Sequence, residues 1–193
     1  MKPVLVFVHG AFSTPNTFNY FRKEFADYPQ MSFAYDWNDP PSQVGHTLAT
    51  QVIATHPTSR IVLLGHSLGG NVIINALPHL QNRVDHVITY ASPLGGSHHA
   101  VLVGLFSRLR VFTHIRPASS EIRLVKRLAR QHSDLITSFV ANRGPLSDRN
   151  DGVVTVASQR AARGLKYISV ATNHMELLLS DNVVEKTRQI IEQ

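Results

Sequence analysis

The chain contains no cysteine among its 193 residues. Disulfides, cysteine-ligated zinc and thiol catalysis are therefore excluded, although the absence says little about compartment. Long apolar runs are also missing: none approaches the ~20 residues that a membrane helix needs, which predicts no stable membrane insertion. The amino-terminal stretch Met1 to Gly10 holds one positive charge and five apolar residues before His9-Gly10. That is too little for a signal-peptide core and reads instead as a first core strand. The expectation is a cytoplasmic protein, with the reservation that an exported chain trimmed of its leader would look the same.

What is present is a globular composition, 43% hydrophobic and 17% charged, of a length that predicts one domain over 1–193 with one sizeable core. The net charge of +6 is unevenly placed. From Arg108 to Arg149 nine Arg or Lys face Glu121, Asp134 and Asp148, while the remaining residues balance at ten against ten. A solvated helical face accounts for such a segment, and so does weak affinity for an anionic surface through 108–149. No nucleic-acid motif lies in it, so no specific nucleic-acid partner is expected.

Strand-like apolar runs alternate with amphipathic ones, the pattern of a mostly parallel sheet flanked by helices on both faces, an α/β fold. Strands are expected at Val4 to Val8, Met31 to Tyr35, Arg60 to Leu64, Val84 to Tyr90, Leu135 to Ala141 and Leu165 to Ala171. Helices are expected near Thr17 to Tyr28, Ser42 to His56, Leu68 to Leu80 and Asp181 to Gln193. Phe18, Phe21 and Phe25 share one helical face, as do Val44, Leu48 and Val52 behind a Ser42 cap. Asp181 is expected to cap the last helix, whose Val184, Ile190 and Ile191 face the sheet. The rhythm breaks at 98–131, where Ala100 to Phe106 is apolar and Glu121 to Arg130 is a basic helix, and a short cap or lid insertion is expected there.

Gly65-His66-Ser67-Leu68-Gly69 fits G-x-S-x-G between a buried strand and a helix, the context in which that motif presents a nucleophile. Small neighbours are needed because the serine backbone is strained and packed closely. An acid and a histidine follow in the required order. Asp151, in Asn150-Asp151-Gly152-Val153-Val154, is preferred over Asp148 as the acid, because Gly152 permits the turn and Val153-Val154 anchors it. Of the eleven histidines, His174 alone follows the acid, directly after the final strand, where it can serve as base. His66 adjoins the serine but should point away from its Oγ. The amides of Ala11, with Phe12 as alternative, and of Leu68 are the expected oxyanion donors.

Taken together, Val4 to Phe12, Arg60 to Gly70, the Ala91-Ser92-Pro93-Leu94-Gly95-Gly96-Ser97 loop, Asn150 to Val154 and Asn173-His174 resemble the α/β-hydrolase superfamily. Within it they are most similar to small bacterial lipases and esterases. The resemblance spans nearly the whole chain. It implies an α/β-hydrolase fold and a carboxylic ester hydrolase with Ser67, Asp151 and His174 as triad, acting on a small-molecule ester or lipid without a cofactor. Calcium-binding lipases carry an acid two residues after the histidine, where Glu176 stands, but no second ligand is identifiable. His98-His99 with His114 matches no zinc spacing, so no metal is expected. Phe12, Leu94, Leu102 and Phe106 are expected to wall an acyl pocket. The same triad serves amidases, thioesterases and acyltransferases, and a hydrolase-fold binding protein without catalysis is a different class of reading.

Overall fold

The computed structural model describes residues 2–97, 109–144 and 149–193. Among these residues six strands form one sheet in the order β2-β1-β3-β4-β5-β6: β1 Val4–Val8, β2 Gln30–Phe33, β3 Ile61–His66, β4 Val84–Tyr90, β5 Ile136–Ala141 and β6 Lys166–Val170. Every pairing is parallel. The helices are α1 Asn19–Glu24, α2 Pro41–Thr55, α3 Leu68–Leu80, α4 Val111–His114, α5 Ser120–Gln131, α6 Val156–Gln159 and α7 Asp181–Ile191. None is long and apolar enough to cross a membrane among the described residues.

A strand sends successive side chains to opposite faces, and a parallel sheet must bury both. In β1, Val4, Val6 and Val8 join the core under α2, α3 and α5, with Val44, Leu48, Val72 and Val125. Leu5 and Phe7 point the other way, into a second core with Phe18, Phe21 and Phe25 and with Val183, Val184, Ile190 and Ile191 of α7. β3 divides in the same manner, Ile61 and Leu63 against Val62 and Leu64. The second core is aromatic at its centre: the Phe21 ring lies 5.3 Å from Tyr90 edge-on, and Tyr90 stacks 5.3 Å from Phe139.

Several boundaries differ from expectation for local reasons. β2 ends at Phe33 rather than Tyr35 because its neighbour β1 stops at Val8, the residue paired with Phe33. The Thr17 to Tyr28 helix begins as a 3-10 turn over Pro15–Phe18, and α1 stops at Glu24. There the Gln30 carboxamide donates to the Arg22 and Phe25 carbonyls at 2.9 and 2.7 Å. Ser42 is not the cap of α2, which Pro41 opens without a side-chain cap bond. Instead Ser42 donates through both N–H and Oγ, each at 2.8 Å, to the Glu121 carboxylate of α5. Asp181 is likewise the first residue of α7 rather than its cap, and it accepts from the Tyr20 hydroxyl.

The order of the strands fixes where a ligand can enter. From β1 the chain moves outward to β2 on one side, then returns to β3 on the other and continues outward to β6. The connections leaving β1 and β3 therefore diverge, and they open a crevice at those strands' carboxyl ends.

Phe21 is fully buried between Phe18, Phe25 and Tyr90. Phe21→Ala is expected to cost about 3–5 kcal/mol of unfolding free energy, measured by urea denaturation.

Candidate active site

Ser67 occupies the turn between β3 and α3 with φ 52°, a left-handed conformation that L-residues rarely adopt. Its N–H donates to the Tyr90 carbonyl at 2.8 Å, which pins the turn to the end of β4. α3 must then pass close beneath β1: a Cβ on Gly69 would collide with the carbonyl oxygens of Val8 and His9. Phe12 and Ala91 are the other non-glycine residues with positive φ among those described, at 55° and 50°. All three follow the carboxyl ends of adjacent strands, β1, β3 and β4. Each such residue costs on the order of 1–3 kcal/mol, and that strain gathers around one crevice.

A cavity of about 390 Å³ occupies the crevice, and Ser67, His174, Ala11, Phe12 and Leu68 all line it. Among the described residues, none of the Ala11, Phe12 and Leu68 amides donates a hydrogen bond. Leu68 is the first residue of α3, so its N–H lies at the positive end of the helix dipole.

His174 and Asp151 form a buried pair, with His174 Nδ1 at 2.7 Å from Asp151 Oδ2. A carboxylate only accepts, so Nδ1 carries the hydrogen and Nε2 is left as the acceptor. Asp151 Oδ1 accepts from the Val153 and Val154 amides at 2.9 and 2.6 Å. Gln159 Nε2 reaches Oδ2 at 3.2 Å, so four donors meet the acid. The Gln159 carboxamide also bonds both backbone groups of Ala141, at 3.0 and 2.9 Å, and so ties the acid to the end of β5. The loop turns at Gly152, φ 98°, and closes with an Asp151 N–H to Val154 carbonyl bond of 3.1 Å. The alternative acid, Asp148, lies outside the described residues.

His66 is buried and donates through Nε2 to the His174 carbonyl at 2.9 Å. Burial, reinforced by the His174 ring, lowers its pKa to about 3. It therefore stays neutral and holds the His174 backbone instead of titrating at the serine.

Pro93, Ser97, Phe112, Ile115, Val153 and Met175 also line the cavity. The Phe12 ring lies 4.2 Å from Trp37 and 6.1 Å from Phe112. Leu94, expected at the wall, is instead fully buried in the core beneath α2 and α3, and Pro93 before it faces the cavity. Leu102 and Phe106 lie outside the described residues, as do His98 and His99. Gln159, Trp37, Phe112, Ile115 and Met175 join the site in addition to the residues expected from the sequence. Only Met175 had a signal, its place beside His174.

A family model for the alpha/beta hydrolase family matches residues 5–180. The chain belongs to that family. Among solved structures, it is similar to the mature lipase BlEst2 of Bacillus licheniformis, with TM-score 0.80 and 18% identity over 98% of this chain and 92% of that one. A lipase-esterase related protein from Clostridium acetobutylicum gives TM-score 0.64 and 13% identity, covering 97% and 94%. An esterase from Thermogutta terrifontis gives 0.65 and 13%, covering 100% and 90%. No curated protein sequence matches. At these identities the likeness establishes the alpha/beta hydrolase fold, here with bacterial lipases and esterases as structural neighbours.

For His66, a pKa depressed in the folded state means stability that is full above pH 6.5 and lost as pH falls toward 3, because the unfolded chain takes the proton first. The stability advantage of the native chain over His66→Gln is therefore expected to shrink across that window, by up to about 1.4 kcal/mol per pH unit, in urea unfolding at graded pH.

Proposed function

We propose that this member of the alpha/beta hydrolase family is a serine hydrolase of carboxylic esters with Ser67, Asp151 and His174 as its triad. The observation that carries the reading is the buried Asp151–His174 pair, whose histidine opens onto the same cavity as a serine in a left-handed turn. Asp151 holds the Nδ1–H tautomer and stabilises the imidazolium that forms. His174 Nε2 accepts the Ser67 hydroxyl proton as Oγ attacks the ester carbonyl. It then returns that proton to the leaving alcohol. The acyl group stays on Ser67 until water, activated by the same nitrogen, releases the acid.

The carbonyl oxygen becomes an oxyanion in both steps. The amides of Leu68 and Ala11, with Phe12 as alternative, are the donors for it, since they line the cavity without other acceptors among the described residues. Such donors act because they are fixed in advance, and the strained Phe12 and Ser67 backbones are what fix them.

The substrate is an ester with an apolar acyl group. Phe12, Val153 and Met175 line the cavity although each is more than half exposed, at 63%, 54% and 52%. Phe112 and Ile115 add apolar wall from α4 and the residue after it. An acyl chain covering these side chains removes their apolar surface from water, and each buried methylene contributes about 0.8 kcal/mol.

Ser67→Ala is expected to lower turnover of p-nitrophenyl esters by at least about a thousandfold. It should also abolish fluorophosphonate labelling while the circular dichroism spectrum stays unchanged; full retained hydrolysis removes the assignment. Between acetate, butyrate and hexanoate esters, kcat/KM should rise by up to roughly fourfold per methylene. Phe112→Ala is expected to flatten that series, and a series unaffected by the substitution removes Phe112 from the acyl wall.

A further inference from the structure

A second concavity, of about 780 Å³, lies on α5 and is lined by Lys126, Arg127, Arg130, Gln131, Ala161 and Arg163. The amphipathic helix accounts for its first three cations. Ile122, Val125, Leu128 and Ala129 are buried against the sheet, so Lys126, Arg127 and Arg130 must face outward. Amphipathicity does not account for Arg163, which comes from the chain entering β6 and meets the same hollow.

The surrounding charges sharpen the contrast. Arg123 on the same helix donates to the Ala118 carbonyl at 2.6 Å. Arg160 donates to Ser169 Oγ at 2.7 Å and lies over the Tyr167 ring. Glu121, the acid of α5, is engaged by Ser42 at the helix's other end. Among the described residues, the side chains of Lys126, Arg127, Arg130 and Arg163 make no ion pair or hydrogen bond. Four cations around one hollow repel one another, and a bound polyanion relieves that repulsion. Guanidinium forks match phosphate oxygens in pairs, which makes Arg-rich concavities selective for phosphate over a diffuse negative surface.

We propose that this groove is a binding site for a multiply phosphorylated anion, whether a free small molecule or the headgroup of a phosphorylated lipid. The groove belongs to the last turns of α5 and to the residues before β6, the amino ends of β5 and β6. Ser67, Asp151 and His174 stand at the carboxyl ends of the strands. The two sites share no lining residue, and occupancy of the groove leaves the proposed catalytic crevice open.

The test uses the full chain and inorganic tripolyphosphate as probe, followed by calorimetric titration. Saturable binding is expected, and Arg130→Gln/Arg163→Gln should weaken it at least about tenfold. Ester hydrolysis in that variant should be unchanged. Arg22→Gln/Lys23→Gln, which removes the same charge from the exposed face of α1, should leave binding intact. Phosphatidylcholine vesicles with and without phosphatidylinositol bisphosphate distinguish the sources. Co-sedimentation only with the phosphorylated lipid, competed by tripolyphosphate, marks the headgroup; tripolyphosphate binding without co-sedimentation marks a soluble anion. The proposal is overturned if tripolyphosphate does not bind saturably, or if the α1 variant weakens binding as much as the groove variant.

Discussion

The candidate active site depends first on how closely the turn after β3 can approach the end of β1. Backbone meets backbone there: α3 begins beneath the Val8 and His9 carbonyls at a point where no side chain fits on Gly69. That approach sets the left-handed Ser67 beside the Ala11 and Phe12 backbone, so a strained serine and N–H groups without an acceptor among the described residues share one cavity. The cost is strain at Ser67 and Phe12, which the sheet sustains because β1 and β3 are both buried from end to end.

The acid and the histidine answer a different problem, which is how to bury a carboxylate. Asp151 is 1% exposed and is met by four donors: two backbone amides, the Gln159 carboxamide and the His174 ring. A buried acceptor with its lone pairs filled is stable without water. A histidine held by such an acid and by a second bond at its own carbonyl has little freedom left. The geometry thus follows from polar satisfaction in a dry place as much as from the demands of chemistry.

Much of this was legible in the residues. Apolar runs bounded by turns located all six strands: β1, β3 and β5 are buried along their whole length, whereas the edge strands β2 and β6 are only partly buried. Ser67 was legible because glycine spacing reports backbone crowding, and the order of Asp151 and His174 along the chain follows the order of the strands. The remainder was illegible because it depends on contacts between distant segments. Ser42 looks like a cap until Glu121, seventy-nine residues later, is seen to take both of its hydrogens. Leu94 looks like cavity wall until the turn after β4 rotates it into the core and leaves Pro93 facing out. Gln159 has no local signature at all, since its role exists only once α6 has docked on β5.

The bond from His66 to the His174 carbonyl has a mechanical consequence. His66 is the last residue of β3 and the covalent neighbour of Ser67, so the loop that carries the histidine is fastened to the strand that carries the serine. Two groups drawn from chain segments more than a hundred residues apart are thereby kept in step by a tether one residue long. The bond joins those segments directly, across the sheet edge that β4, β5 and β6 otherwise span. The exposed Phe12, Val153 and Met175 side chains line the same cavity without taking part in that bond.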